Sequence, residues 1–222
     1  MNMSVIEVVY NFRKILIEGA SVTLMLGVIM LLGGTVLGSV YASILAMKGE
    51  SKLLKGVKKV IHFLVELFRG APLLTLLFFG YYGLAYLGFQ LDGYTACCIV
   101  LIFYAGAYIC EIVRSGLESI SKGQWEAGYC LGLTYLEVMR YIIFPQAFKI
   151  FLPSLMGFFI AAVKDTSIVS LIGCSDIFAM AKTVINRTNM PLEIYSIVAL
   201  FFFVFCFPMS LWVSHLEKKK AA

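Results

Sequence analysis

The chain has 222 residues, of which 61% are hydrophobic and 14% charged, with a mean hydropathy of +0.91 and a net charge of +5. A soluble domain spends about a quarter of its residues on charge. The shortfall here comes with apolar runs of about 20 residues, the length that crosses a hydrocarbon core of about 30 Å. A soluble fold is excluded, and so is nucleic acid as the reason for the positive charge, because in a membrane protein the position of basic residues matters more than their sum.

In chain order, Arg13 and Lys14 precede an apolar run over residues 20–47. It is too long for a signal-peptide core of about 7–15 residues and predicts a retained first span. Gly34 and Gly38 stand in the spacing that admits a close neighbour. The second region, 60–89, would be about 45 Å long as one helix, and it contains "RGAP" from Arg69 to Pro72. It predicts a tilted or broken element with its front part near the membrane surface. Further spans are predicted at 94–112, at 151–172 with Pro153 in its first turn, and at 193–214 with a kink at Pro208. The fold class is therefore an all-α membrane protein with five transmembrane helices in a single domain over 1–222.

Six cysteines (Cys97, Cys98, Cys110, Cys130, Cys174, Cys206) lie mostly within apolar runs and form no C-x-x-C pair. They read as small buried residues, not as a metal set. The basic residues of the loops fix the orientation. Five lysines fill 48–59, Arg114, Lys122, Arg140 and Lys149 lie in 113–150, and Lys218, Lys219 and Lys220 close the chain. The opposite side carries Arg13, Lys14, Lys182 and Arg187. The prediction is an N-terminus outside and a C-terminus in the cytoplasm.

No phosphate-binding loop, G-x-S-x-G or H-E-x-x-H is present, and the two histidines, His62 and His215, fall at span ends. The sequence points to no enzyme, no metal and no cofactor held by this chain. The long cytoplasmic loop 113–150 carries the specific signal, "EAGYCLGLTYLEVMRYIIFPQ" over 126–146. Gly132 between two helical halves predicts a turn, with Thr134 capping the second half. Leu131 and Leu133 flank that turn as apolar residues suited to another protein's groove.

Glu126, Ala127, Gly128, then Gly132, Ile142, Phe144 and Pro145 resemble the EAA-x3-G-x9-I-x-L-P motif of the membrane-spanning subunits of bacterial ABC importers. Gly128 replaces an Ala of that pattern and Phe144 a Leu. "RGAPLL" at 69–74, "EIVRSGLESISKGQWEAG" at 111–128 and "VKDTSIVSLIG" at 163–173 extend the likeness to the polar amino acid branch of MetI-like type I permeases. The resemblance covers about 19–216. It implies a permease dimer, homo- or heteromeric, with separate cytoplasmic ATPases that hold ATP and Mg²⁺. It also implies an extracytoplasmic amino-acid-binding protein and a location in the bacterial cytoplasmic membrane. Glu126, Ala127, Gly128, Leu131, Gly132, Leu133 and Pro145 would then belong to a coupling helix between spans three and four. Gly128 should make this handle looser than in relatives.

Counting from Leu152, Lys164, Asp165, Thr166 and Ser167 lie roughly 18 Å into the fourth span, where ionisable groups need a partner or a wet cavity. They line a substrate path or belong to a structural network; both readings stay open. Glu66 with Arg69 and Glu111 with Arg114 are spaced i, i+3 and read first as intrahelical pairs. The resemblance adds Arg69, Gly70 and Pro72 as a segment near the gate. It also marks Gly157 and Phe158 as path positions where relatives often carry Asn and sometimes Glu, so a cationic amino acid is not expected as the main cargo. Two other classes compete: a membrane scaffold that recruits a cytoplasmic partner, and a self-sufficient carrier. The second should show inverted repeats, which are not evident.

Overall fold

The computed structural model describes residues 5–47 and 51–221. Lys48 lies outside the described residues, as do the side chains of Lys218, Lys219 and Lys220. Every regular element among the described residues is helical. In chain order these are α1 (Val5–Ala46), α2 (Lys52–Gly70), α3 (Leu73–Tyr86), α4 (Gly93–Glu118), α5 (Lys122–Cys130), α6 (Tyr135–Ile172), α7 (Ile177–Thr188) and α8 (Pro191–Ala221). Four of them, α1, α4, α6 and α8, are long and apolar enough to cross a membrane. A fifth crossing exists if α2 and α3, bent by 115° at their junction, count as one broken span.

Several predicted boundaries move. The first span begins well before residue 20, because nothing between Val5 and Ala20 breaks a helix. Val8 and Leu16 on this extension are buried against Ile177, Ala181, Val184 and Ile194 of α7 and α8. The long loop 113–150 shrinks to the segment between Glu118 and Tyr135, since both flanking spans run on as helix. Pro153 lies inside the α-helical stretch Phe144–Asp165, not in its first turn; Pro145 takes the place at the start. A proline inside a helix removes one backbone hydrogen bond and crowds the preceding turn. The widened π-type turn over Val138–Ile143 sits directly ahead of Pro145 and opens the backbone there.

The break between α2 and α3 has a local cause. Ala71 and Pro72 take extended backbone conformations, and Pro72 starts α3 where its missing N–H is no loss. Ahead of the break, α2 buries Ile61 and Val65 and turns Lys52, Lys55 and Lys59 outward. Lys58 reaches back to donate to the Leu45 carbonyl at 3.0 Å and to that of Met47, a cation at the negative end of α1.

The bundle is built on the contact between α1 and α4. A Cβ on Gly38 would stand 2.7 Å from the Gly106 carbonyl oxygen and 2.9 Å from the Cys110 backbone nitrogen, and one on Gly34 would strike Ala105. Backbone therefore meets backbone, and no side chain fits between them. Gly19 makes the same kind of approach to Asp176 and Ile177 at the start of α7. There the buried Thr23 hydroxyl accepts from the Ile177 N–H at 3.1 Å, and Asp176 caps α7 by accepting from Ala179 N–H at 3.0 Å.

Gly38→Val should lower the thermal stability of the purified chain by about 2 kcal/mol or more. Gly56→Ala, at a helical site with nothing within 4 Å of the new carbon, should leave it unchanged or raise it by about 0.5–1 kcal/mol. Burial pushes the Asp176 carboxyl up to about 6, so the folded state holds that proton more tightly than the unfolded chain. The resulting stabilisation is full below the ordinary value of 3.8 and is lost as pH rises to about 6. Asp176→Asn should flatten the melting-temperature profile across that window.

Candidate functional site

The motif segment folds as a short hooked element fastened to α6. α5 ends at Cys130, and Gly132 follows with φ 76°, the left-handed region in which glycine carries no Cβ strain. Leu133 N–H donates to the Gly128 carbonyl at 3.3 Å and Gly132 N–H to that of Tyr129 at 2.9 Å, the paired bonds of a Schellman stop. Thr134 then caps α6 reciprocally with Glu137, whose carboxylate accepts from the Thr134 N–H at 2.8 Å and from its hydroxyl at 2.7 Å. The turn at Gly132 and the cap at Thr134 are thus where the sequence places them.

Three contacts hold α5 against α6. Trp125 stacks on Tyr135 with centroids 5.7 Å apart, and Gln146 Nε2 donates to Gln124 Oε1 at 3.0 Å. The third is Gly128, which is buried, with Val138 and Ile142 filling the space a side chain would take. At this position, where a looser handle is expected, α6 closes up against the bare backbone. Leu131 is 76% exposed at the tip, whereas Leu133 is half-buried against the core. Glu126 and Ala127 lie on the same short helix, and Pro145 stands in the first turn of the Phe144–Asp165 stretch.

The residues assigned to a path and gate are joined by two aromatic side chains that sequence reasoning missed. Tyr108 of α4 stacks on Phe158 of α6 at 5.3 Å, and its ring lies 5.9 Å below the Arg69 guanidinium. Tyr104, one turn earlier, packs on Tyr108 at 4.8 Å and faces the Asp165 carboxyl. Their i, i+4 spacing on one face of α4 was the available signal. Phe158 and Asp165 are thus linked to Arg69 through one face of α4.

The charged pairs form a chain across elements, beyond the intrahelical pairs expected. Arg69 Nη1 lies 3.6 Å from Glu66 and 3.8 Å from Glu111 on α4. Glu111 also receives Arg114, which holds Glu118 at 2.6 Å. Gly70 closes α2, and Ala71 and Pro72 supply the bend beside this cluster. The four residues from Lys164 to Ser167 do not converge. Lys164 points to a groove of about 290 Å³ with Phe202, Phe203 and Cys206 of α8, while Asp165 faces α4. Thr166 is fully buried, and its hydroxyl donates to the Val163 carbonyl at 2.8 Å. Ser167 is half-buried in the closing 3₁₀ turn, and Gly157 is exposed, with nothing within 4 Å of the place a Cβ would take. Among the described residues, no group of three His, Cys, Asp or Glu side chains could hold a metal.

Gly128→Ala should destabilise the hook by about 1–2 kcal/mol, because Val138 would stand 2.7 Å from the added carbon. Adding Val138→Ala should recover most of that loss. Hydrogen exchange across 122–143 in the single and double variants measures both effects.

Comparison with known proteins places this architecture. Residues 38–222 match the family described as the binding-protein-dependent transport system inner membrane component. The "Probable glutamine ABC transporter permease protein GlnM" of Bacillus subtilis is 36% identical over 219 residues, covering 99% of this chain and 98% of that one. The glutamine transport system permease protein GlnP of Escherichia coli is 34% identical over 209 residues, covering 92% of each. A solved chain of an amino acid ABC transporter with histidines superimposes with a TM-score of 0.87 at 32% identity, over 99% of this chain and all of that one. The methionine transporter MetNI, at 18% identity and a TM-score of 0.69, shares the fold. The chain belongs to the binding-protein-dependent transport system inner membrane components, as an integral inner-membrane permease subunit of an amino acid ABC transporter and not an enzyme.

Proposed function

We propose that the chain imports polar, uncharged amino acids of the glutamine type, with its N-terminus outside and the hook of α5 in the cytoplasm. Two permease chains, identical or paralogous, enclose the path, since one five-span chain is too small to do so alone. An extracytoplasmic binding protein delivers the amino acid, and two ATPase subunits that hold ATP and Mg²⁺ sit beneath. In this arrangement α5 and the Gly132 turn are the coupling helix. The observation that carries the reading is mechanical: an exposed apolar tip at Leu131 is backed by Gly128, Trp125 and Gln124, each fastened to α6.

A push on that tip reaches the bundle without being absorbed in a flexible loop. Movement of α6 then shifts Phe158 and Asp165 against the Tyr104–Tyr108 face, and through Tyr108 it meets Arg69 and the bend at Gly70 and Pro72. Such rocking between inward- and outward-open states needs rigid levers and a bistable contact. The cargo class follows from Phe158, a ring already stacked on Tyr108, where a carboxylate would be needed to favour a cationic substrate. The glutamine permeases among the relatives support the same class.

Leu131→Asp should lower co-purification of the ATPase about tenfold or more, equivalent to about 1.4 kcal/mol, while the spans still insert. ATP hydrolysis should cease to respond to binding protein and amino acid. An ATPase that stays bound and responsive would overturn the assignment of the hook. Uptake into vesicles of the complete transporter should favour glutamine over arginine and histidine; the opposite preference would remove the role given to Phe158.

A further inference from the structure

Two cavities adjoin at the end of the bundle that carries the hook. One, of about 490 Å³, is walled by Trp125, Tyr129 and Tyr135 and by charged side chains, Lys122 and Glu126 among them. The other, of about 380 Å³, is apolar and is walled by Phe144, Phe148, Phe151 and Leu155. They share Ala42, Ala46, Leu117, Tyr135 and Met139. They are therefore two compartments of one groove between the C-terminal parts of α1 and α4 and the start of α6.

The two compartments differ in chemistry as the two ends of an amphiphile do. The apolar one is lined by α1, α4 and the first turns of α6, and Leu136, Phe144 and Phe148 on its rim are exposed, so it has an apolar mouth on the side of the bundle, ahead of the stretch from Leu152 that the span count places in the membrane. The polar one holds charges of both signs. Arg114 is already engaged by Glu111 and Glu118, which leaves Lys122 and Glu126, one turn apart on α5, as one cation and one anion. Three aromatic rings stand around them, and such rings favour an ammonium group. A soluble anion would leave the acidic residue and the apolar compartment unmatched. A purely anionic lipid would leave Glu126 opposed.

We propose that this groove binds one zwitterionic aminophospholipid, with an acyl chain in the phenylalanine compartment, its phosphate at Lys122 and its ammonium at Glu126 among the three rings. The lipid then packs behind the hook and completes the wall that α5 and α6 leave open toward α1. The proposal rests on the permease reading only in placing this end of the bundle against a layer of headgroups.

The test is native mass spectrometry of the purified permease–ATPase complex after exchange into vesicles of equal phosphatidylethanolamine and phosphatidylglycerol content. One phosphatidylethanolamine per permease chain should survive detergent release. Ala46→Trp, which fills the junction of the two compartments, should lower that occupancy about tenfold. Lys122→Glu should lower it as well, and phosphatidylglycerol should not replace the lost lipid. Met139→Trp serves as the filling variant if Ala46→Trp fails to assemble. Equal retention of the two lipids, no retained lipid, or retention unmoved by filling and charge-reversal variants would overturn the site. Loss of the ATPase from the unaltered complex would count against the permease reading and leaves the lipid measurement on the chain intact.

Discussion

The bundle depends on the place where α1 crosses α4 with no side chain between them. In lipid, apolar side chains gain nothing by leaving one hydrocarbon environment for another, so helices associate through close packing and a few polar contacts. Gly34 and Gly38 against Ala105, Gly106 and Cys110 provide that packing, and it fixes α4 as the central post. Everything functional is then referred to α4. The bend between α2 and α3 is held to it by Phe68 stacking on Phe103 at 5.5 Å and by Arg69 near Glu111. α6 meets it through Phe158 on Tyr108 and through Gly116, whose missing side chain admits Phe151.

Polar groups in this setting are few, and their partners explain their positions. An unpaired charge at membrane depth is costly, and the Glu66–Arg69–Glu111–Arg114–Glu118 chain spreads three carboxylates over two guanidinium groups. It also joins two elements, so a shift of α2 relative to α4 must exchange one of these contacts. Asp165 meets a phenol and no cation on α4, and Lys164 turns toward α8. Adjacent residues on a helix face different neighbours, and here they address two different elements. Thr166 is buried, and its hydroxyl donates to the Val163 carbonyl of its own helix. Phe158 and Asp165 remain on the face of α6 that looks at Tyr104 and Tyr108.

How much was legible in the sequence varies with the distance over which each feature is determined. Span existence follows from the length of apolar runs, and the turn at Gly132 with its Thr134 cap follows from residues within one turn of each other. The early start of α1 was hidden because Glu7, Asn11, Arg13, Lys14 and Glu18 interrupt the hydropathy. Only the contact with α7 and α8 reveals that Val8 and Leu16 form a buried stripe. The extension of α6 back to Tyr135 was hidden by Pro145, which reads as a boundary until the widened turn ahead of it is seen. Tyr104 and Tyr108 share a face by their spacing, but sequence does not show what that face meets, since their partners lie on α2 and α6. Gly128 is the same kind of case: whether a missing methyl loosens a helix depends on what fills the space, and Val138 is not its neighbour in sequence.

That last case bears on how force would pass through the chain. A helix transmits displacement along its axis, and the Phe144–Asp165 stretch is about 33 Å long at 1.5 Å per residue. It is flanked by a widened turn over Val138–Ile143 and a 3₁₀ turn over Thr166–Ile172, the two places where its backbone geometry departs from the regular pitch. Val138 begins the first of these turns and is the residue pressed onto Gly128. The hook therefore grips α6 at the point where α6 is least regular, ahead of the rigid rod. If the hook is the coupling helix proposed above, a displacement of the tip at Leu131 would reach Val138, turn about the widened turn, and pass along the rod toward Phe158 and Asp165. An Ala at 128 with Val retained at 138 would hold the two elements further apart, so the Gly–Val pair acts as one unit.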